Sequence, residues 1–221
     1  PGTITAGLAQ LVPEGSVIGL DLAKAVLVEA GAEAGRRGLT NATFEIGDVY
    51  HLPFDDGSFD VVHAHQLLQH LADPVAALAE MRRVRRTGGL VAARDGDYGA
   101  MSWFPEDPEL DEWQTLYRSV ARAIGGEPDA GRRMLAWARA AGFAEVEMSA
   151  GTWCFVSDRD RTWWGALWAD RLTQSSFAAH ALGHELATRP DLERLAGAWR
   201  RWTAAADASF LAPNGEVLCR G

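Results

Sequence analysis

Alternation between strand-like and helix-like segments over residues 1–97 is the feature that most constrains this fold. Short apolar runs predict strands at residues 16–21, 42–46, 59–64 and 90–93. Between them, apolar residues at helical spacing predict helices over residues 3–12 and 23–37, and a third helix begins at Asp73-Pro74 and ends at Gly88-Gly89. Strands that alternate with helices in this way indicate an α/β fold with a mainly parallel sheet.

The second half of the chain has a different character. It contains helical segments at 109–124, 130–141 and 158–206, one long strand or strand pair at 144–155, and a last strand at 210–218 interrupted by Pro213-Asn214-Gly215. We expect the helices within 98–142 and 158–207 to form a cap over the sheet. The length of 221 residues suits a single domain over residues 1–221 that includes this cap.

Charge and cysteine content exclude some classes of function. A net charge of -9 argues against a dedicated nucleic-acid-binding protein, which usually carries a basic surface. No apolar run approaches the roughly 20 residues that a membrane helix needs, and the first residues lack the basic segment of a signal peptide. Two cysteines cannot form a disulfide framework, so we expect a cytoplasmic protein.

Asp21 follows the first predicted strand and is the first candidate for a binding residue. An acidic residue at the tip of such a strand accepts hydrogen bonds from ribose hydroxyls, about 20 residues after a glycine-rich turn. Pro1-Gly2 lies at that distance, but the strand and glycines that should precede it are absent. We therefore expect a chain that starts inside the nucleotide-binding turn. The alternative role for Asp21 is to cap the helix that starts near Ala23.

Gly47-Asp48-Val49, after the next predicted strand, is the second candidate. The Asp48 carboxylate could accept a hydrogen bond from an adenine amine, and the backbone N–H of Val49 could donate to a ring nitrogen. The alternative is an ordinary polar turn.

A longer run carries the third and most specific signal. It extends from Ser58 to Leu71 and continues through Asp73-Pro74, Glu80 to Val84 and Gly88-Gly89. Together with Asp21 and Asp48, this run resembles class I S-adenosylmethionine-dependent methyltransferases of the ubiquinone/menaquinone-biosynthesis type. The resemblance implies a Rossmann-like sheet with an antiparallel last strand, S-adenosylmethionine as cofactor and S-adenosylhomocysteine as product. It also implies that the chain lacks the family's first strand.

The resemblance assigns roles to residues around the nucleoside. Asp21 matches the ribose-binding acid, and Leu22 matches the apolar residue that packs on adenine. Asp48 and Val49, after Gly47, match the pair that binds the adenine edge.

Other matched residues would surround the reactive part of the cofactor. Pro1 and Gly2 match the end of the family's glycine loop, beside the methionine part. His65 and Gln66 match positions that line the same part after the fourth strand of the family. His70 faces the substrate side.

His70 is also a candidate catalytic base, because methyl transfer to a hydroxyl or amine requires removal of a proton. The alternative is a polar residue in the pocket wall. His51, His63, His65 and His70 do not indicate a metal site, since no cysteine or suitably spaced carboxylate completes a ligand set.

Tryptophans of the second half, Trp103 and Trp153 among them, predict either core packing or an aromatic-walled substrate pocket. Such a pocket suits a small or mid-sized, partly apolar acceptor, and we expect neither nucleic-acid nor membrane partners; a homodimer is one option for the assembly. The predicted function is in-line methyl transfer. Two alternatives stay open: a nicotinamide-dependent Rossmann oxidoreductase, and a non-catalytic methyltransferase-like binding protein.

Overall fold

A computed structural model describes all residues from 1 to 221. In the first half, the elements are α1 (Thr3–Leu11), β1 (Val17–Asp21), α2 (Lys24–Arg36), β2 (Ala42–Ile46), β3 (Phe59–His65), α3 (Pro74–Val84) and β4 (Arg85–Gly96). In the second half they are β5 (Ser102–Phe104), α4 (Pro108–Ala123), α5 (Met134–Ala140), β6 (Glu145–Phe155), α6 (Asp158–Gln174), α7 (Ser176–Gly183), α8 (Arg189–Ala204) and β7 (Ser209–Arg220). Short 3-10 turns lie at 68–70, 98–100 and 131–133.

Local side-chain bonds explain where several of the helices begin. The Asp73 carboxylate accepts a hydrogen bond from the backbone N–H of Ala76, and Pro74 occupies the first turn of α3. Ser157 caps α6 in the same way, and Thr188 and Asp191 form a reciprocal capping box at α8.

The predicted α/β fold is confirmed, and hydrogen bonds group its strands into two sheets. β1 and β2 form a parallel pair, while the other five strands form a second sheet. In that second sheet β3 and β4 are parallel, and β7 runs antiparallel to β4, β5 and β6. β7 is thus the antiparallel last strand. It joins β4 of the first half of the chain to β5 and β6 of the second half.

Several boundaries differ from the sequence prediction: the helical segment at 158–206 is divided into α6, α7 and α8, β5 was not predicted, and two differences affect the second sheet. α3 ends at Val84, not at Gly88-Gly89, because the backbone of Arg85 is already extended. β4 then begins at Arg85, which pairs with Phe59, while Leu90 pairs with Val61. The intervening residues bulge, and Gly88 supplies the left-handed φ of 76° that this bulge uses. β7 is continuous through Pro213-Asn214-Gly215, because these residues pair with β6 in register.

The hydrophobic core has two parts. A smaller cluster joins β3, β4, α3 and α5 around Leu68, Leu78 and Met81. A larger cluster, called the aromatic cluster below, fills the space between β7 and the helices α4, α6, α7 and α8. Its buried rings are Tyr98, Trp113, Trp164, Trp168, Trp199, Trp202 and Phe210.

Candidate functional site

The carboxyl ends of β1 and β2 bring the first group of predicted residues together. Asp21 pairs in register with Ile46, and the backbone N–H of Gly47 donates to the carbonyl oxygen of Asp21 at 3.3 Å. Asp21, Leu22, Gly47 and Asp48 are therefore neighbours at one edge of the parallel pair.

The Asp21 carboxylate uses one oxygen locally and leaves the other free. Its Oδ1 accepts a hydrogen bond from the backbone N–H of Ala23 at 2.8 Å, whereas Oδ2 has no protein partner. Ala23 itself is the N-cap of α2, so this bond shapes the turn rather than capping the helix. Leu22 beside it is 70% exposed and presents an apolar surface next to the free oxygen. This pair fits a ribose hydroxyl and an adenine face.

Asp48 and Val49 form a turn that contacts the rest of the molecule. The Asp48 Oδ1 atom accepts from the backbone N–H of Tyr50 at 2.9 Å, and Oδ2 lies 3.8 Å from Nδ1 of His51. Val49 and Tyr50 pack against the smaller core cluster. The polar turn is therefore present, and the side chain of Asp48 remains half-exposed at the carboxyl end of β2.

Pro1 and Gly2 lead directly into α1. Gly2 has a left-handed φ of 76°, and its carbonyl oxygen accepts from the N–H of Ala6 at 2.8 Å. A Cβ atom at Gly2 would lie 2.6 Å from Cα of Ala30, so this close approach of α1 to α2 requires glycine.

His65 and Gln66 lie at the carboxyl end of β3. The His65 ring lies 5.9 Å from the ring of Trp153, and the Arg94 guanidinium stacks on the same indole at 4.6 Å. Burial, with the charge of Arg94, lowers the pKa of His65, so its imidazole is neutral near pH 7. Gln66 adopts a left-handed φ of 53°, which turns the chain toward the 68–70 turn.

A chain of three amide side chains begins at Gln66. Its Nε2 donates to Oδ1 of Asn214 at 2.6 Å, and its Oε1 accepts from Nε2 of Gln69 at 2.8 Å. Asn214 in turn donates to the carbonyl oxygen of Ala212 at 2.9 Å. The remaining oxygen, Oε1 of Gln69, is buried without a partner. Sequence reasoning missed Gln69 and Asn214, because Pro213-Asn214-Gly215 resembles a turn.

Asp95 is a second buried polar residue that the sequence did not reveal. Its carboxylate accepts from the backbone N–H groups of Leu68 at 3.2 Å and Gln69 at 3.1 Å. Burial raises the pKa of Asp95 to about 6, although these hydrogen bonds act in the opposite direction. The predicted strand stopped at residue 93, which is why Asp95 fell outside it.

His70 ends the 68–70 turn and remains accessible to solvent. The surrounding protein, and then the positive charge of Arg171, lower the pKa of His70. Its imidazole is therefore neutral near pH 7 and can accept a proton.

The two tryptophans predicted for a substrate pocket lie in different places. Trp103 packs inside the aromatic cluster, with its ring 5.8 Å from Phe210 and 6.1 Å from Trp113. Trp153 instead lines an open groove of about 410 Å³ with Phe155, Trp163 and Trp164. Its ring also lies 5.9 Å from that of His65, so Trp153 links this groove to the end of β3.

No group of three or more His, Cys, Asp or Glu side chains is placed to hold a metal ion. His180 and His184 are exposed on and just after α7. None of the helices combines the length and the apolar character that a membrane crossing requires.

A family model described as a methyltransferase domain matches residues 1–154. The chain belongs to this methyltransferase domain family. An uncharacterized methyltransferase of Schizosaccharomyces pombe is 37% identical over 99% of this chain and 80% of its own length. A demethylmenaquinone methyltransferase of Roseiflexus castenholzii is 37% identical over 58% of this chain and 52% of its own length.

Solved structures agree on the fold of this methyltransferase domain. The YcgJ protein of Bacillus subtilis superposes with a TM-score of 0.58 at 21% identity, over 98% of this chain and 88% of that protein. Together with the family match, these relatives support S-adenosylmethionine-dependent methyl transfer and not nicotinamide-dependent oxidation.

Proposed function

We propose that this methyltransferase domain methylates a small or mid-sized, partly apolar acceptor and leaves S-adenosylhomocysteine as product. The observation that carries the proposal is the arrangement at the carboxyl ends of β1 and β2, where Asp21 keeps one carboxylate oxygen free beside the exposed Leu22. A carboxylate oxygen that can accept a hydrogen bond, next to an apolar side chain, suits a nucleoside.

The residues present fit S-adenosylmethionine, which supplies an electrophilic methyl group when bound. Asp21 would hold the ribose hydroxyls, Leu22 would cover the adenine, and Asp48 with Val49 would bind the adenine edge. His65 and Gln66 would line the methionine part. The neutral imidazole of His65 suits this place, because it adds no positive charge next to a sulfonium.

When bound, the cofactor would supply its methyl group to the acceptor's nucleophile by in-line displacement, and the electron pair of the broken carbon–sulfur bond would stay on sulfur. His70 would take the proton that a hydroxyl or amine acceptor releases, since its lowered pKa keeps it unprotonated near pH 7. The remaining catalysis comes from orientation and from exclusion of water by the cap.

The finer assignments belong to the same proposal. The ubiquinone/menaquinone-biosynthesis type is supported by the partial match to the Roseiflexus enzyme. We also propose a single domain over residues 1–221 with cap segments at 98–142 and 158–207, a cytoplasmic location on the basis of two free cysteines, and assembly as a homodimer as one option.

Calorimetric titration with S-adenosylhomocysteine tests the cofactor site. Asp21→Ala should weaken binding about ten- to hundredfold, the ~1–3 kcal/mol scale of lost charge-assisted hydrogen bonds. Glu14→Ala, in the turn before β1, is the control and should leave the affinity unchanged. Unchanged affinity in Asp21→Ala would mean that this carboxylate serves only its turn, and saturable NADH binding without S-adenosylhomocysteine binding would refute the proposal.

The pH dependence of turnover tests His70, with hydroxylated aromatics and amines as acceptors. The wild-type rate should fall as the pH drops through the lowered pKa of His70, because protonated His70 cannot accept a proton. His70→Ala should lose roughly 10²- to 10⁴-fold in kcat, the usual contribution of a general base. Asp95 also titrates near 6, so Asp95→Asn serves as a comparison that should keep the His70-dependent decline. Full turnover of His70→Ala across pH 6–9 would exclude it as the base.

A further inference from the structure

Arg171 of α6 lies at the junction between the cap and the end of the sheet. Its guanidinium Cζ stacks over the ring of Trp168 at 4.9 Å. Trp168 is fully buried, and the rings of Tyr98 and Tyr117 lie 6.2 and 5.3 Å from it. Tyr98 and Tyr117 stack on each other with centroids 3.9 Å apart. Arg171 therefore borders a cluster of aromatic rings that carries two hydroxyl groups.

Arg171 differs from the other arginines that are withdrawn from solvent. Four of those arginines pair with a carboxylate; they are Arg83, Arg94, Arg118 and Arg161. The fifth, Arg85, donates to two backbone carbonyl oxygens. Arg171 is half-buried and forms no ion pair; its guanidinium stacks on Trp168 and donates a hydrogen bond to the hydroxyl of Tyr98, which carries no charge. A partly desolvated cation whose partners are a ring and a neutral hydroxyl is suited to an anion from outside the chain.

The charge of Arg171 is felt on the substrate side of the site. It lowers the pKa of His70, after the larger desolvating effect of the surrounding protein. It also opposes the burial that raises the pKa values of the Tyr98 and Tyr117 hydroxyls. Tyr98, to which Arg171 donates a hydrogen bond, lies beside Gly96 together with Gln66 and Gln69. Since Gln69 precedes His70 in the 68–70 turn, Arg171 and the predicted base lie near the same turn.

We propose that Arg171 binds a carboxylate of the methyl acceptor and holds its nucleophile next to His70. This inference rests on the proposed function. A planar carboxylate matches the two-pronged guanidinium edge. A single cation balances one negative charge, which favours a monoanionic carboxylate over a phosphate monoester, whose charge near neutral pH is about -1.5 to -2. The acceptor class is therefore an aromatic or partly apolar acid.

A matched pair of probes, benzoate and benzamide, tests the inference on protein saturated with S-adenosylhomocysteine. They have nearly the same size, but only benzoate is charged. Calorimetry should show benzoate binding at least tenfold more tightly to the wild type. Arg171→Gln should abolish this preference by weakening benzoate alone, and Arg171→Lys should restore part of it. Arg159→Gln, an exposed arginine on the same helix, should change neither affinity.

Several results would overturn the inference. They are equal affinity for the two probes in the wild type, failure of both probes to bind, and a benzoate preference that survives in Arg171→Gln. Circular dichroism and S-adenosylhomocysteine affinity, measured on every variant, separate this test from that of the proposed function. Loss of cofactor binding in the wild type would refute the proposed function, whereas intact cofactor binding without benzoate selectivity would refute the role of Arg171 alone.

Discussion

The first 46 residues and the aromatic cluster bury very different side chains. In α1, β1, α2 and β2, the buried side chains are Ala6, Ala9, Ala30 and Ala34, while Leu11 and Val28 are largely exposed. The aromatic cluster instead buries whole indole rings, with Trp113 4.6 Å from Trp168 and 4.7 Å from Trp199. Since stabilisation grows with the apolar area buried, the aromatic cluster should contribute most of the folding free energy. The predicted nucleoside-binding residues therefore lie on the less stable region.

The largest expected effect is on the free energy of unfolding, through the aromatic cluster. Trp113→Ala removes the ring at the centre of the aromatic cluster and should lower the free energy of unfolding by about 3–5 kcal/mol. Trp163→Ala is the matched control, since Trp163 is 57% exposed, and should cost less than about 1 kcal/mol. Urea denaturation followed by circular dichroism measures both. Equal losses would show that the aromatic cluster does not dominate stability.

A second prediction concerns Asp95, which lies where β4 meets the 68–70 turn. Its pKa is raised in the folded protein, so the uncharged carboxyl favours folding at low pH and this contribution disappears as the pH rises through about 6. The loss is on the order of 3 kcal/mol, since one pKa unit corresponds to about 1.4 kcal/mol.

Unfolding measured from pH 4 to 7 checks this, with Asp95→Asn as the variant that cannot ionise. The difference in stability between variant and wild type should shift in favour of the variant as the pH rises. Carboxylates with lowered pKa values, such as Glu80, act in the opposite direction in both proteins and cancel in that difference. A pH-independent difference would contradict the assignment.

Hydrogen exchange compares the two regions directly. Amides of β1 and β2 should exchange through local opening, at a lower free energy than those of β4 and β7. Saturating S-adenosylhomocysteine should slow exchange in β1 and β2. At a hundredfold excess over Kd, the free energy of the opening that permits exchange should rise by about 2.7 kcal/mol. Uniform protection across both sheets before addition of the cofactor would remove the distinction between the regions.

The smallest expected effect comes from the same substitution, alanine to glycine, placed in a helix of each region. Ala30→Gly in α2 and Ala198→Gly in α8 should each cost about 1 kcal/mol of helix stability. Ala30→Gly should speed exchange of the β1 and β2 amides without moving the urea midpoint. Ala198→Gly should lower the midpoint and leave that exchange unchanged, and the reverse pattern would contradict the comparison.

The sequence was most informative where the determinants are local. Asp21 and Asp48 could be placed at strand ends because short apolar runs precede them, and Asp73-Pro74 identified the start of α3. The start of β4 was missed, because Arg85 to Gly89 carries no apolar pattern and is in register only through its pairing with β3.

Long-range pairings were beyond sequence reasoning for a related reason. Asn214 lies 148 residues from its partner Gln66, and nothing near Asn214 distinguishes a strand residue from a turn residue. The absence of an ion pair at Arg171 depends likewise on long-range structure, because the sequence does not show which carboxylates pair with the other arginines.

The position of β7 in the sheet has a consequence for how the protein is made. β7 pairs with β4 and β5 on one side and with β6 on the other, and it is synthesised after all three. Phe210, a member of the aromatic cluster, lies on it. While the ribosome still holds this segment, neither the five-stranded sheet nor the aromatic cluster can close. The tryptophans of the cluster therefore lack part of their cover until β7 has left the ribosome, and chaperones have that interval in which to bind them.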